Sequence, residues 1–376
     1  LHLANNQIGN IGAISLGSCD IWRNLQKLDL SSNKIGDEGA EGIAKNIIWE
    51  NLECLDLSTN LIADQGAVAL ASNAAWRNLK GFRVSSNKIG DKGAKAIGKN
   101  ISWVSLEELY LDNNQIGDKG AIAIGKNISW TNLLELHLHQ NHIGDKGATA
   151  IGCNVSWKNL RVLSLHSNEN IGDEATEILA RNTTWTRLKE LHLANNQISD
   201  TGVLAVAANN AWKSLQKVYL HANKISEKGV VAIASNSTWK NLRVLSLCEN
   251  EFGDEPVIKL ASNSNWSHLE ELYLHKCLLS ANSGISLMNN TIWRKIKKLS
   301  LHSNNLGDDG VAAIAANTNW HSLEELCLNE NQFGDKGAVA IADNSSWKNL
   351  RKLYLNTNSI AVQGANALSR NSTWSN

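Results

Sequence analysis

Fourteen tryptophans stand at a fixed step along this chain of 376 residues, from Trp22 to Trp374. Every interval is 27 residues except Trp157 to Trp185, which is 28. A period of about 20–50 residues marks stacked copies of one supersecondary element, so the pattern predicts a solenoid. A solenoid lengthens without splitting, and residues 1–376 therefore read as a single array of about fourteen repeats.

One repeat, residues 106–132, shows how the unit is built. Leu106, Leu109 and Leu111 form an L-x-x-L-x-L run. Alternation in its second half predicts a short strand with two leucines facing inward. Asn114 and the inward Ile116 follow, and Gly117-Asp118 makes a turn. Asp118 is the expected N-cap of a helix whose apolar face holds Ala121, Ile124 and Ile128. Asn127 ends that helix, with a left-handed backbone expected at its C-terminal cap. Trp130 packs beneath the descending loop.

Two asparagine ladders recur with the repeat. The first runs from Asn6 to Asn358 at the strand turn, with Cys277 as its one substitution. The second precedes each tryptophan by three residues from Asn46 to Asn371. A side-chain amide at such places satisfies backbone groups that no regular ladder serves. Both ladders are therefore read as structural, and so are the tryptophans, each of which buries about 150–250 Å².

The pattern L-x-x-L-x-L-x-x-N-x-I resembles the leucine-rich repeat signature over the whole chain. The 27-residue unit and the I-G-D-x-G-A-x-A-I segment are similar to the ribonuclease-inhibitor-like subclass. That subclass also includes the repeat regions of NOD-like receptors and Ran GTPase-activating proteins. The resemblance implies an α/β fold: a right-handed horseshoe with a parallel sheet on the concave face and helices on the convex face. It also accommodates Cys277, because the family accepts Asn or Cys there. Ribonuclease inhibitor itself is cysteine-rich and acidic, which this chain is not.

Composition narrows the function classes. Lys plus Arg equals Asp plus Glu at 36 each, so the chain lacks the electrostatic footprint of a nucleic-acid binder. No run of about 18 apolar residues is present, so no membrane partner is expected. No signal peptide is visible. The six cysteines form no Cys-x-x-Cys pair and are too few for a disulfide framework, which points to free thiols in a cytoplasmic setting, of the producing cell or of a host. Secretion is the alternative, since sequons recur at Asn100, Asn127, Asn182 and Asn236. They are read as by-products of the second asparagine ladder.

Variation against this fixed frame carries the functional signal. Side chains alternate along a strand, so the residues flanking the inward leucines project from the sheet. These outward columns hold all four tyrosines and eight of the eleven histidines. The expected partner-binding residues are Tyr110, His137, His139, His166, His192, Tyr219, His221, Tyr273, His275 and His302. Tyr and His present a flat body with a polar tip, chemistry favoured at protein interfaces. Glu108, Glu135, Glu190, Glu271 and Glu325 alternate beside them with Lys217, Lys298 and Lys352. His137, His139 and His166 stand close enough to converge, yet nothing supplies a clear fourth ligand, so neither metal nor cofactor is expected. Histidine titrates near about 6.5, which makes pH-sensitive recognition an expectation.

Three repeats break the frame. An extra residue near Glu169-Asn170 predicts a bulge at the rim. Pro256, the only proline, falls near a helix start, where it is tolerated. The stretch Lys276 to Ser280 loses the Gly-Asp turn. Phosphate-loop, zinc-protease and nucleophile-elbow motifs are missing, and no enzyme is expected. Both ends lack the polar caps that solenoids need, which suggests a fragment with ends free for self-association. The leading expectation is a non-enzymatic module that binds a protein on its concave face, as the sensor or docking region of a larger immune-type or effector protein. The alternatives are a GTPase-regulating adaptor acting through its rim and a self-assembling structural array.

Overall fold

The computed structural model describes residues 1–374 and places a three-residue strand and a helix of eight or nine residues in successive repeats. The chain forms two compact units, Leu1–Gln197 and Ile198–Asn376. In the first, strands from Lys27–Asp29 to Glu190–His192 pair in parallel in chain order. Their central residues lie in register, Phe82 beside Leu109 beside Leu136. In the second, strands from Lys217–Tyr219 to Lys352–Tyr354 do the same. No helix among the described residues is long and apolar enough to cross a membrane.

The core follows the repeat. Leu109, Leu111, Ile116, Ala121, Ile124 and Trp130 are all fully buried. From Asn33 to Asn358 the strand-turn asparagines each serve two coils at once. The Asn114 amide donates to the carbonyls of Val84, Leu111 and Asp112, and its Oδ1 accepts from Ile89 N–H. At Cys277 the thiol donates to the His275 and Leu247 carbonyls at 3.3 and 3.6 Å. Coils approach closely on the helical side. A Cβ on Gly98 would lie 2.5 Å from the Ala123 carbonyl carbon, so the small residue is required there.

The helix ends differ from the sequence reading in three respects. The helix Asp118–Gly125 stops before Ile128, which is 71% exposed and not part of the apolar face. The helix-end asparagine is not left-handed: Asn100, directly after the helix Asp91–Lys99, has φ −69° and ψ 118°. Its side chain explains why. The Asn127 amide donates inward to the carbonyls of Gly98 and Asn100 of the preceding coil, and its Oδ1 accepts from Ser129 N–H. An extended backbone turns the amide into that position. With both amide hydrogens so engaged, a glycan on Asn127 is incompatible with the fold, which makes that sequon a consequence of packing.

The third difference concerns the aspartates. Asp118 is the first helical residue, Gly117 is the N-cap, and no side chain caps this helix from within its own coil. Instead Asp118 Oδ1 accepts from Gly144 N–H at 2.9 Å and Gly147 N–H at 2.8 Å, at the start of the next helix. Asp37, Asp64, Asp91, Asp200, Asp308 and Asp335 do the same for the coil that follows each. Stacking brings the open N-terminus of the next helix to the carboxylate, where two free N–H groups and the helix dipole meet one oxygen.

Four coils lack this aspartate: Val362 replaces it in the last described coil, Asn10 in the first, where its Oδ1 still accepts from Gly36 N–H, and Glu227 and Ala281 in two between. The coils after Glu227 and Ala281 start differently. Gly253 and Gly307 adopt φ of 72° and 57°, the two positive-φ glycines among the described residues. Their N–H groups donate to the carbonyls of Cys277 and Asn331 instead. Pro256 sits at the same offset from Glu227 as Gly147 does from Asp118. A residue without an N–H stands where no acceptor waits for one.

Asp118→Ala is therefore expected to cost about 1–2 kcal/mol. The loss should appear as faster hydrogen exchange at Gly144 and Gly147, with the amides of the Asp118–Gly125 helix unchanged. Faster exchange in the mutated residue's own helix would restore the conventional cap.

Candidate functional site

The outward side chains of the strands form a stacked surface in each unit. In the first, the Arg83 guanidinium lies 5.0 Å from the Tyr110 ring centre, and Tyr110 stacks on His137 at 4.2 Å with the planes 10° apart. One residue column over, His139 stacks on His166 at 4.2 Å and 19°. His192 lies 6.3 Å from His166 and 3.2 Å from the Glu190 carboxylate. In the second, His275 stacks on His302 at 4.0 Å and 14°, and Tyr219 meets His221 edge-on at 6.4 Å. Lys298 Nζ lies 5.3 Å from the Tyr273 ring. Parallel pairing produces this stacking, since equivalent residues repeat at the strand spacing of about 4.8 Å.

Polar tips are tied down, across coils for Tyr110 and within one strand for Tyr273. Tyr110 donates its phenol hydrogen to Glu135, and Tyr273 donates to Glu271. Burial and the adjoining carboxylate push both phenols well above their ordinary pKa, so both stay protonated. Glu135 is held below the usual carboxylate range, first by the His137 imidazole 3.5 Å away and also by Tyr110.

A hydroxyl–imidazole pairing recurs that the sequence reading did not assign. Ser164, Ser246 and Ser300 lie 3.0, 3.0 and 3.1 Å from Nδ1 of His139, His221 and His275. Around His139 the polar chain extends further: Nε2 lies 3.5 Å from Asp112, which also accepts from Ser85 Oγ at 2.7 Å. An Nε2–H facing Asp112 leaves Nδ1 to accept from Ser164, which fixes the tautomer. The three serines are buried, 2–3% exposed, beneath the imidazoles. Their hydroxyls brace the rings. The signal was present as a fixed spacing of 25 residues between each histidine and its serine.

Face-to-face stacking of His139 on His166 keeps their nitrogens in parallel planes, which does not direct them toward one shared ion. No cluster of three metal-ligating side chains occurs among the described residues. Burial lowers the pKa of His139, His275 and His302. For His275 the value falls to about 4, through burial first and then the stacked His302 imidazole.

That shift has a definite sign. His275 is neutral in the fold, while the unfolded chain takes up a proton near about 6.5. Stability is therefore present at neutral pH and is lost as pH falls from about 6.5 toward 4. Besides His302, the groups facing this ring are Ser300, Glu249, Lys276 and His221. With its side chain 16% exposed, solvent screening leaves roughly 2 kcal/mol for this ring. Urea midpoints at pH 7 and 4.5 for the parent and His275→Gln measure it; equal pH slopes for the two would refute it.

Comparisons with known proteins follow the same geometry. A family profile described as Leucine Rich repeat matches residues 1–17, 23–44, 50–71, 77–98, 104–125, 131–152, 186–207, 294–315 and 321–342, just over half of the chain. No curated protein matches. Among solved structures, the internalin InlF of Listeria monocytogenes is 22% identical, with a TM-score of 0.67 over 96% of this chain and 92% of that one. The functional domain of InlJ from Listeria monocytogenes, described as including a cysteine ladder, is 16% identical with a TM-score of 0.55. That match covers 93% of this chain and 61% of the InlJ domain's chain. At these identities the likeness is one of fold. The ribonuclease-inhibitor-like subclass rests on the 27-residue unit and the helix segment alone.

Proposed function

The chain belongs to the leucine-rich repeat family, and from that premise we propose a recognition module that binds a protein partner through its strand face. Solenoids of this kind use extended surfaces built from repeated side chains. The observation that supports the reading is the concentration of stacked, half-exposed Tyr and His rings on that face in each unit. Rings held by hydrogen bonds and stacking lose little conformational entropy on binding, which favours them as interface anchors. The module would serve as the sensor or docking region of a larger protein of immune or effector type.

The test is affinity capture from a candidate host lysate with the chain and two triple variants. One carries Tyr110→Ala, His139→Ala and His166→Ala; the other carries Tyr273→Ala, His275→Ala and His302→Ala. A partner retained by the parent and lost with either variant, at unchanged circular dichroism, supports the reading. Equal capture by all three moves recognition off the strand face.

A further inference from the structure

The helical face of the first unit carries a local charge imbalance that the neutral chain conceals. The helices Asp91–Lys99, Asp118–Gly125 and Asp145–Gly152, with the residue after the second, hold Lys92, Lys95, Lys99, Lys119, Lys126 and Lys146. All six lysines are exposed, and none makes a salt bridge among the described residues. The acidic side chains on these helices are Asp91, Asp118 and Asp145, and each is occupied by backbone N–H groups of the next coil. Helices to either side differ. The adjoining Asp64–Ser72 carries no lysine, and beyond it Asp37–Ala44 carries Glu38 and Glu41; on the other side Asp173–Arg181 carries Glu174 and Glu177.

Between the first two of these helices lies a groove of about 610 Å³, lined by Lys95, Lys99 and Lys126 around Ile101, Ile122 and Ile128. Ile101 and Ile128 are each 71% exposed. Their position in the repeat holds them outside the core, because the helix has ended and the next residues turn toward the buried tryptophan. Large aliphatic side chains ringed by unpaired cations are a costly surface to leave in water.

We propose that this groove is a docking site for an acidic peptide segment of a partner protein, one whose carboxylates alternate with aliphatic side chains. Its carboxylates would pair with the lysines that line the groove, and its aliphatic side chains would fill the floor between the helices. Charge complementarity selects the sign of the partner, and the apolar floor selects against a plain polyanion. The floor is recessed between two helices, so it suits a row of inserted side chains better than a flat lipid surface. This site is separate from the strand face and stands or falls independently of it.

Fluorescence anisotropy tests the proposal, using a short labelled peptide that alternates glutamate and leucine. A glutamate–serine peptide of equal charge and phosphatidylserine vesicles serve as competing probes. The expected result is saturable binding of the glutamate–leucine peptide that weakens with salt. It should fall by about tenfold or more in the combined variant Lys95→Glu, Lys99→Glu and Lys126→Glu. The pair Ile101→Ser and Ile128→Ser should lose about tenfold as well. Lys213→Glu with Lys240→Glu in the second unit should leave binding unchanged. All these positions are exposed, and an unchanged thermal midpoint confirms that the variants fold. Equal binding of the serine peptide, binding of vesicles alone, or no binding would each overturn the proposal.

Discussion

Trp130→Ala is expected to destabilise the first unit by about 3–5 kcal/mol, while Trp130→Phe costs about 1–2. The indole is fully buried, and its Nε1 hydrogen has no hydrogen-bond partner. Its contribution is therefore volume and contact area. Phenylalanine keeps most of that, whereas alanine leaves a cavity between the helical and strand sides that stacked coils cannot collapse into. Solenoid coils are coupled mainly to their neighbours, so a readout resolved by coil locates the loss that a global midpoint only totals. Hydrogen exchange resolved by coil should show loss of protection centred on residues 106–132 and decaying to either side. Similar losses for the two substitutions would mean that the indole N–H contributes after all.

Asn114→Ala is expected to cost about 2–5 kcal/mol, because it strands buried backbone groups in two coils. Its amide and carbonyl serve Val84, Leu111, Asp112 and Ile89, and the side chain is 7% exposed, which leaves little room for water to substitute. Asn114→Cys should cost clearly less. Cys277 supplies the precedent, donating to two carbonyls from the same place in its own coil. Urea titration followed by circular dichroism ranks the three proteins. An order with cysteine as damaging as alanine would show that the amide's acceptor oxygen, which sulfur replaces poorly, is the decisive atom.

What the sequence made legible was the part governed by local period. Leu109, Leu111, Ile116, Ala121 and Ile124 alternate or recur at strand and helix spacing, and each is in the core. The strand-turn asparagines were readable for the same reason. Groups whose partners stand a whole coil away were harder. Asp118 has the composition of a cap for its own helix, and only the stacking distance reveals that it serves the helix 26 residues on. Ile128 continues an apolar spacing past the point where Asn127 has already ended the helix. Of the candidate site, the tyrosines and histidines were legible as columns. The serines beneath the imidazoles were hidden because their bonds join strands of different coils.

The aspartate that reaches forward gives the fold a direction in time. A ribosome releases this chain from its N-terminal end, so the carboxylate of one coil is already in position when the next helix emerges with its first N–H groups free. Each finished coil presents a receptor for the opening turn of its successor, and growth can be templated without waiting for distal sequence. The coils after Glu227 and Ala281 emerge without that receptor and open with Gly253 and Gly307 instead. In those two coils a nascent array must find its register without that contact.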